Sequence, residues 1–176
     1  MPCFCFRKSF LIFVETYKEL EGFSRQRARI LEVKCSTMII EKLPGTDARL
    51  YMLVAPLVMS VPVIRQNNNY PFKTSRKHLW FVALDRDSVV GFMPVERKTA
   101  GAYIDNYYAA GDSPELLMEL IGAAVAEFAP ELPLSAMVHV RHADIFKACG
   151  FSPVKNWKLY VKMEYGDNEQ FQEQRV

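Results

Sequence analysis

The sequence predicts an α/β (α+β) fold, a sandwich of helices around a mixed sheet. Three observations predict it. Strand and helix signals alternate from Met38 onward, residues 78–96 read as a β-hairpin, and residues 114–129 carry an apolar stripe at helical spacing. With 176 residues, half of them apolar, the chain has enough material for one domain with a sizeable core.

Residues 1–37 stand apart from the rest. They hold seven basic and four acidic side chains against fifteen and sixteen in residues 38–176, so the formal charge of +2 belongs to the extension. Cys3, Cys5 and Cys35 lie there and Cys149 stands alone in the body. That pattern makes neither a disulfide framework nor a zinc spacing, and it reads as reduced thiols of a cytoplasmic protein. The apolar patches Cys3–Phe6 and Phe10–Val14 are divided by Arg7 and Lys8 and lead to no small-residue cleavage site, so the order of a secretory signal is missing. The extension is expected to be an amphipathic helix packed on the body or a poorly ordered leader, and Met38 is an alternative start of the natural chain. No apolar run approaches the roughly 20 residues that span a bilayer. The charge is also too small to imply a polyanionic partner.

From Met38 the elements follow in turn. MIIEKL reads as a strand and Pro44-Gly45 as a turn. TDARLYMLVAPLVMS reads as an apolar helix started by Thr46 and kinked or ended by Pro56. Residues 63–77, with three consecutive Asn, Pro71 and scattered Arg and Lys, read as a surface loop. HLWFVAL and SVVGFMPVE, joined by Asp85-Arg86-Asp87, are rich in β-branched and aromatic residues that suit a pleated surface, and Pro94 argues for an edge or a strand end. AGAYIDNYYAA is a further strand. Residues 114–129 then give a helix with Ser113 as N-cap and Pro114 at its first position, with Leu117, Leu120, Ile121, Ala124, Val125 and Phe128 as its core stripe. LPLSAMVHV is a strand, RHADIFKA a short helix ended by Gly150, and WKLYVKMEY a last strand. Residues 166–176 form a polar tail.

That order, together with HADIFKACGFSPVKNWKLYVKMEY, resembles the GNAT superfamily of acyl-CoA-dependent N-acyltransferases over residues 38–165. The most specific element is the short helix followed by Gly-Phe, Ile145 to Phe151, running into a final hairpin. The resemblance implies a mostly antiparallel sheet, acetyl-CoA as co-substrate, and transfer of an acetyl group to a small-molecule or peptide amine by direct attack. It also implies that the pyrophosphate is held between the strand Ala102–Ala110 and the following helix, at Tyr108, Ala109, Ala110, Gly111, Asp112 and Ser113. The short helix with Phe146 would flank the pantetheine arm. A helix N-terminus suits an anion because its amides lack partners and its dipole end is positive.

The sequence departs from the family pattern at two places. Members usually carry Arg or Gln and a Gly-rich turn before the long helix, whereas here the turn is shortened to Ala109-Ala110-Gly111-Asp112-Ser113, with a carboxylate and no cation. Many members place a Tyr general acid where Phe146 stands, and Phe146 has no proton to give. A catalytically inactive ligand-binding or protein-interaction module of the same fold is therefore the competing class.

For the general base that deprotonates the amine, Asp105 and His139 are the candidates, the imidazole because it titrates near neutrality. His139 and His142, three apart, lack a third metal ligand nearby, so no metal site is expected. Strand alternation places Tyr103 and Tyr107 on one face and Tyr108 on the other. The basic and aromatic loop Arg65–Lys77 is where GNAT proteins often build acceptor specificity. It would suit an acidic small molecule better than nucleic acid. No membrane partner is expected, and a homodimer is left open.

Overall fold

The computed structural model describes residues 38–166. The expectations for residues 1–37, including Cys3, Cys5 and Cys35, and for the tail beyond Gly166 lie outside them.

Alternating apolar residues form β1 (Met38–Pro44), β2 (His78–Asp85), β3 (Ser88–Lys98), β4 (Gly101–Ile104), β5 (Tyr108–Ala109), β6 (Leu134–His139), β7 (Phe151–Asn156) and β8 (Tyr160–Tyr165). The helices are α1 (Ala48–Val58), α2 (Val61–Gln66), α3 (Pro114–Phe128) and α4 (Ala143–Ala148). The sheet runs β1-β2-β3-β4-β6-β8-β7, and β5 pairs with β3 beside β4. Among the described residues only β4 and β6 pair in parallel, so the sheet is mixed and mostly antiparallel.

Period-2 alternation splits each central strand between two cores. Phe81, Ala83, Met93 and Val95 point to the face covered by α3 and α4, where they meet Leu120, Ile121, Phe128 and Phe146. Trp80, Val82, Leu84 and Phe92 point to the other face and pack on Leu50, Val54 and Val63 of α1 and α2. Burial of each such side chain supplies roughly 1.5–3 kcal/mol. The Ser113 Oγ accepts from the Leu116 amide at 3.3 Å and caps α3 as expected, a contribution of about 1 kcal/mol. The buried stripe of α3 includes Leu116 as well, while Val125 is half-buried.

Several local expectations are corrected. The N-cap of α1 is Asp47, whose carboxylate accepts from the Arg49 amide at 2.8 Å, and not Thr46. Pro56 does not end the helix at once; α1 continues two residues beyond it, to Val58. Residues 63–66, read as the start of a loop, belong to the helix α2, which begins at Val61 with Pro62 in the first turn where its missing N–H costs nothing. Pro94 is buried in the middle of β3 and not at an edge. It is tolerated because β3 pairs with β5 at Gly91 and Phe92 and with β4 only from Val95, so ladder pairing on that side is interrupted at Pro94.

That interruption is a β-bulge. Between the pairs Val95–Ile104 and Phe92–Tyr108, the three residues Asp105, Asn106 and Tyr107 stand against the two residues Met93 and Pro94. The strand read as continuous from Ala102 to Ala110 is therefore two strands, and the extra residue reverses the parity after it. Tyr103 pairs with Glu96 and Tyr108 with Phe92, so these two tyrosines share a face and Tyr107 turns to the other. Gly101 opens β4 with φ +144, and a Cβ there would collide with the Pro133 carbonyl, which accepts from the Ala102 amide at 2.8 Å.

Candidate functional site

The parallel ladder between β4 and β6 ends at the pair Ile104–Ala136. Beyond it β5 pairs only with β3, and β6 turns to β8, so two strand edges face each other without bonding and a cleft opens. Asp105, Tyr107, Ala109 and Asp112 line one side and Met137, His139, Arg141 and His142 the other, with Gln66 and Asn67 from the end of α2 and Tyr160 from β8. Its free volume is about 20 Å³, room for a single water.

A network crosses the cleft. Gln66 Nε2 donates to Asp112 Oδ1 and, at 3.2 Å, to the Ala109 carbonyl. Arg141 Nε lies 3.4 Å from Asp112 Oδ2, and an Arg141 terminal nitrogen donates to the Gln66 carbonyl at 2.9 Å. The buried His142 has its Nε2 within 3.2 Å of Arg141 Nε and its Nδ1 3.0 Å from the Tyr107 hydroxyl. Burial first, and then the Arg141 charge, hold the His142 imidazole below its usual 6.5. Its neutral form accepts from Arg141 at Nε2 and carries its proton on Nδ1. The Tyr107 oxygen then accepts twice, from His142 and from the His139 amide at 3.3 Å, which leaves its own proton to point elsewhere. Desolvation pushes the Tyr107 phenol well above its usual value of 10, so it stays protonated.

The two expected bases share this cleft and differ in availability. His139 Nδ1 already accepts from the Arg141 amide at 3.2 Å, so its one lone pair is engaged, and burial and Arg141 hold the ring below 6.5. Asp105, half-buried, has no hydrogen-bond or ion-pair partner among the described residues. It lines a second cavity as well. That cavity, of about 400 Å³, opens on the Tyr103 face of the sheet and is lined by Tyr70, Lys73, His78, Pro94, Glu96, Lys98, Tyr103 and Asn106 together with Asp105. Asp105 thus stands between the narrow cleft and the wider cavity. Tyr70 and Lys73 of the basic loop reach this cavity.

The residues expected at the phosphate turn are placed differently from one another. Ala109 and Asp112 line the cleft. Ala110, Gly111 and Asp112 form a single 3₁₀ turn in which Gly111 and Asp112 both take left-handed φ, 66° and 52°. Gly111 faces open space. The Asp112 carboxylate turns inward to Arg141, which offsets the repulsion its charge would give a phosphate. Ser113 and Glu115 fill the end of α3 themselves: the serine hydroxyl donates to Glu115 at 2.8 Å, and the Glu115 amide and that hydroxyl hold its carboxyl below the usual value. The Tyr108 side chain is absent from the cleft and packs 5.4 Å from Phe92 on the opposite face. Phe146 has no exposed surface; it packs 5.5 Å from Tyr107 and 5.2 Å from Phe151, so its ring presents nothing to a ligand.

Sequence reasoning did not single out Gln66 or Arg141, and it weighed His142 only as a metal ligand and Tyr107 only for packing or the acceptor pocket. The signal available was the polar run Arg141-His142 directly after a strand that ends at the splay. Among the described residues no group of three or more His, Cys, Asp or Glu is placed to hold a metal ion.

Two facing strand edges without ladder partners suit an extended arm carrying amides, as a pantetheine does. The turn supplies open backbone at Gly111. Arg141, the one Lys or Arg among the described residues that lines the cleft, is committed to Asp112. The backbone edges suit the amides of an acyl-CoA arm, which enters only as the Gln66–Asp112–Arg141 network that crosses the cleft moves aside, and among the described residues its phosphates find no free cation there.

No family model matches the sequence, and no curated protein matches it. Solved structures do match. Escherichia coli ElaA is similar at 12% identity with a TM-score of 0.57, over 73% of this chain and 99% of that one. An acyl-CoA N-acyltransferase from Pseudomonas aeruginosa is similar at 13% identity and 0.58, over 74% and 100%. PH1933 from Pyrococcus horikoshii OT3 is similar at 16% identity and 0.55, over 74% and 99%. The chain shares the fold of these solved structures, a mixed, mostly antiparallel sheet flanked by helices.

Proposed function

We propose that this chain is an acyl-CoA-dependent N-acetyltransferase that moves an acetyl group to a primary amine by direct attack. The observation that carries the reading is the position of Asp105, an unpartnered carboxylate at the junction of a cleft suited to an amide-bearing arm and a cavity large enough for a small amine. Acyl-CoA supplies a thioester whose carbonyl the amine can attack.

Asp105 takes the proton that the amine sheds as its C–N bond forms. Tyr107 gives its phenolic proton to the sulfur as the C–S bond breaks, the His142 Nδ1–H, 3.0 Å from that oxygen, stabilises the phenolate by donating a hydrogen bond, and solvent returns to Tyr107 the proton that Asp105 took from the amine. Tyr107 thereby fills the acid role that Phe146 leaves vacant. Each such group supplies about 10² to 10⁴ in rate, and holding amine and thioester together supplies more. The free thiol of Cys149 suits a reducing cytoplasm.

The test is acetyl transfer from acetyl-CoA to a panel of primary amines by the wild type and by Asp105→Asn. The expected result is turnover that falls about 100-fold or more in the variant, at unchanged acetyl-CoA affinity. Equal rates would remove Asp105 from the chemistry. A second reading, a binding module without turnover, is favoured by one observation, the commitment of Arg141 to Asp112. Acetyl-CoA binding with no transfer to any amine would select it.

A further inference from the structure

The 400 Å³ cavity on the Tyr103 face has a charge pattern that specifies more than an amine. It is lined by two carboxylates, Glu96 and Asp105, and two ammonium groups, Lys73 and Lys98. Glu96 and Lys98 neutralise each other at 3.3 Å, and Lys98 also lies 3.8 Å over the Tyr103 ring. Among the described residues the other two have no such pairing: Lys73 donates to the Tyr70 hydroxyl at 2.7 Å and meets no carboxylate within ion-pair distance, and Asp105 meets no cation. The Lys73 side chain is exposed at the mouth, and Asp105 is half-buried where the cavity adjoins the narrow cleft. Burial holds His78, on the same wall, below 6.5, so it adds no charge near neutrality.

A cavity with one unpaired anion at its inner end and one unpaired cation at its mouth is complementary to a ligand of the reverse polarity. We propose that this cavity binds a small primary amine that also carries an anionic group, the amine inward at Asp105 and the anion outward at Lys73. The anion is a carboxylate or a phosphate; both accept from an ammonium. Diamines would set a second cation against Lys73, and plain alkylamines would leave Lys73 unused. The orientation rests on the N-acyl-transfer reading only in giving the inward amine something to do; the charge complementarity does not depend on it.

The experiment measures binding of four probes to the full chain without acyl-CoA, by ligand-observed NMR: γ-aminobutyrate, phosphoethanolamine, putrescine and butylamine. Binding of one or both anionic amines about tenfold tighter than putrescine and butylamine is expected. The stronger of the two identifies the anion as carboxylate or phosphate. Lys73→Glu, an exposed change that leaves the core intact, should abolish that preference and favour putrescine, while Lys77→Glu, outside the cavity, should leave it unchanged. Equal binding of all four probes, or a preference that survives Lys73→Glu, would overturn the proposal. The same amines are then offered with acetyl-CoA. Selective binding without transfer leaves the cavity assignment standing and fails the transferase reading, and transfer without selectivity does the reverse.

Discussion

The Tyr107 hydroxyl lies 3.0 Å from Nδ1 of His142, whose other ring nitrogen lies 3.2 Å from Arg141 Nε. A buried imidazole thus ties a phenol in the cleft wall to the cation that crosses the cleft. The β-bulge makes this contact. Without its extra residue, Tyr107 would share the face of Tyr103 and could not reach α4 and the 3₁₀ turn that carries His142.

Replacing Tyr107 by Phe should separate its structural from its chemical role. The change leaves the His142 Nδ1–H without a partner at a buried site, a loss of about 1–3 kcal/mol in urea denaturation. Acetyl transfer should fall by a further factor of about 10² at equal folded fraction. A variant as active as the wild type would take Tyr107 out of the reaction.

Phe146→Tyr tests the vacancy directly. Its ring is fully buried between Tyr107 and Phe151, so the added hydroxyl meets no water and costs about 1–3 kcal/mol. The melting temperature should fall and turnover should not rise. A faster variant of unchanged stability would place this ring at the reacting sulfur.

The three histidines give the fold a pH dependence of known sign. His78, His139 and His142 are all held below 6.5, desolvation being the largest cause in each. The unfolded chain therefore binds more protons just below pH 6.5, and stability that is complete above that value declines as pH falls toward the folded-state values. The slope is at most about 1.4 kcal/mol per pH unit for each histidine. Urea melts between about pH 7 and 5 should show this decline, flattened in His142→Gln. Stability that rises on acidification through that window would contradict the burial of these rings.

Asp112→Asn should strengthen acetyl-CoA binding. The amide keeps a hydrogen bond to Gln66 and frees Arg141 for a phosphate, a gain of about 1 kcal/mol or several-fold in affinity at hydrated distances. Isothermal calorimetry reads it, and weaker binding would show that the carboxylate helps to hold the ligand.

The order of strands and helices was legible because each long element has a strong period: the α3 stripe, the β2–β3 hairpin, the cap at Ser113. What was not legible has physical reasons. α2 is one and a half turns held by packing of Val63, and its neighbouring prolines and asparagines look like a loop. A bulge breaks period 2 with no composition signal, so the faces of Tyr107 and Tyr108 were assigned by an alternation that stops at Asp105. Asp105 and His139 were readable as residues at strand ends, and they do line one cleft. Gln66, Asp112 and Arg141 meet only through the fold, so no local spacing could join them. Phe146 was placed by analogy with a helix position, whereas burial of its ring is set by the aromatic neighbours of β7 and the bulge.

In the proposed reaction the cleft between β5 and β6 receives the acyl donor. The most direct measurement is an amide NMR titration of the full chain with acetyl-CoA, paired with thermal denaturation. Shifts concentrated at residues 108–113 and 137–142 are expected, with about 2.7 kcal/mol of stabilisation at one hundred times the dissociation constant. Saturable shifts elsewhere on the molecule, or no shift and no stabilisation at millimolar acetyl-CoA, would contradict it.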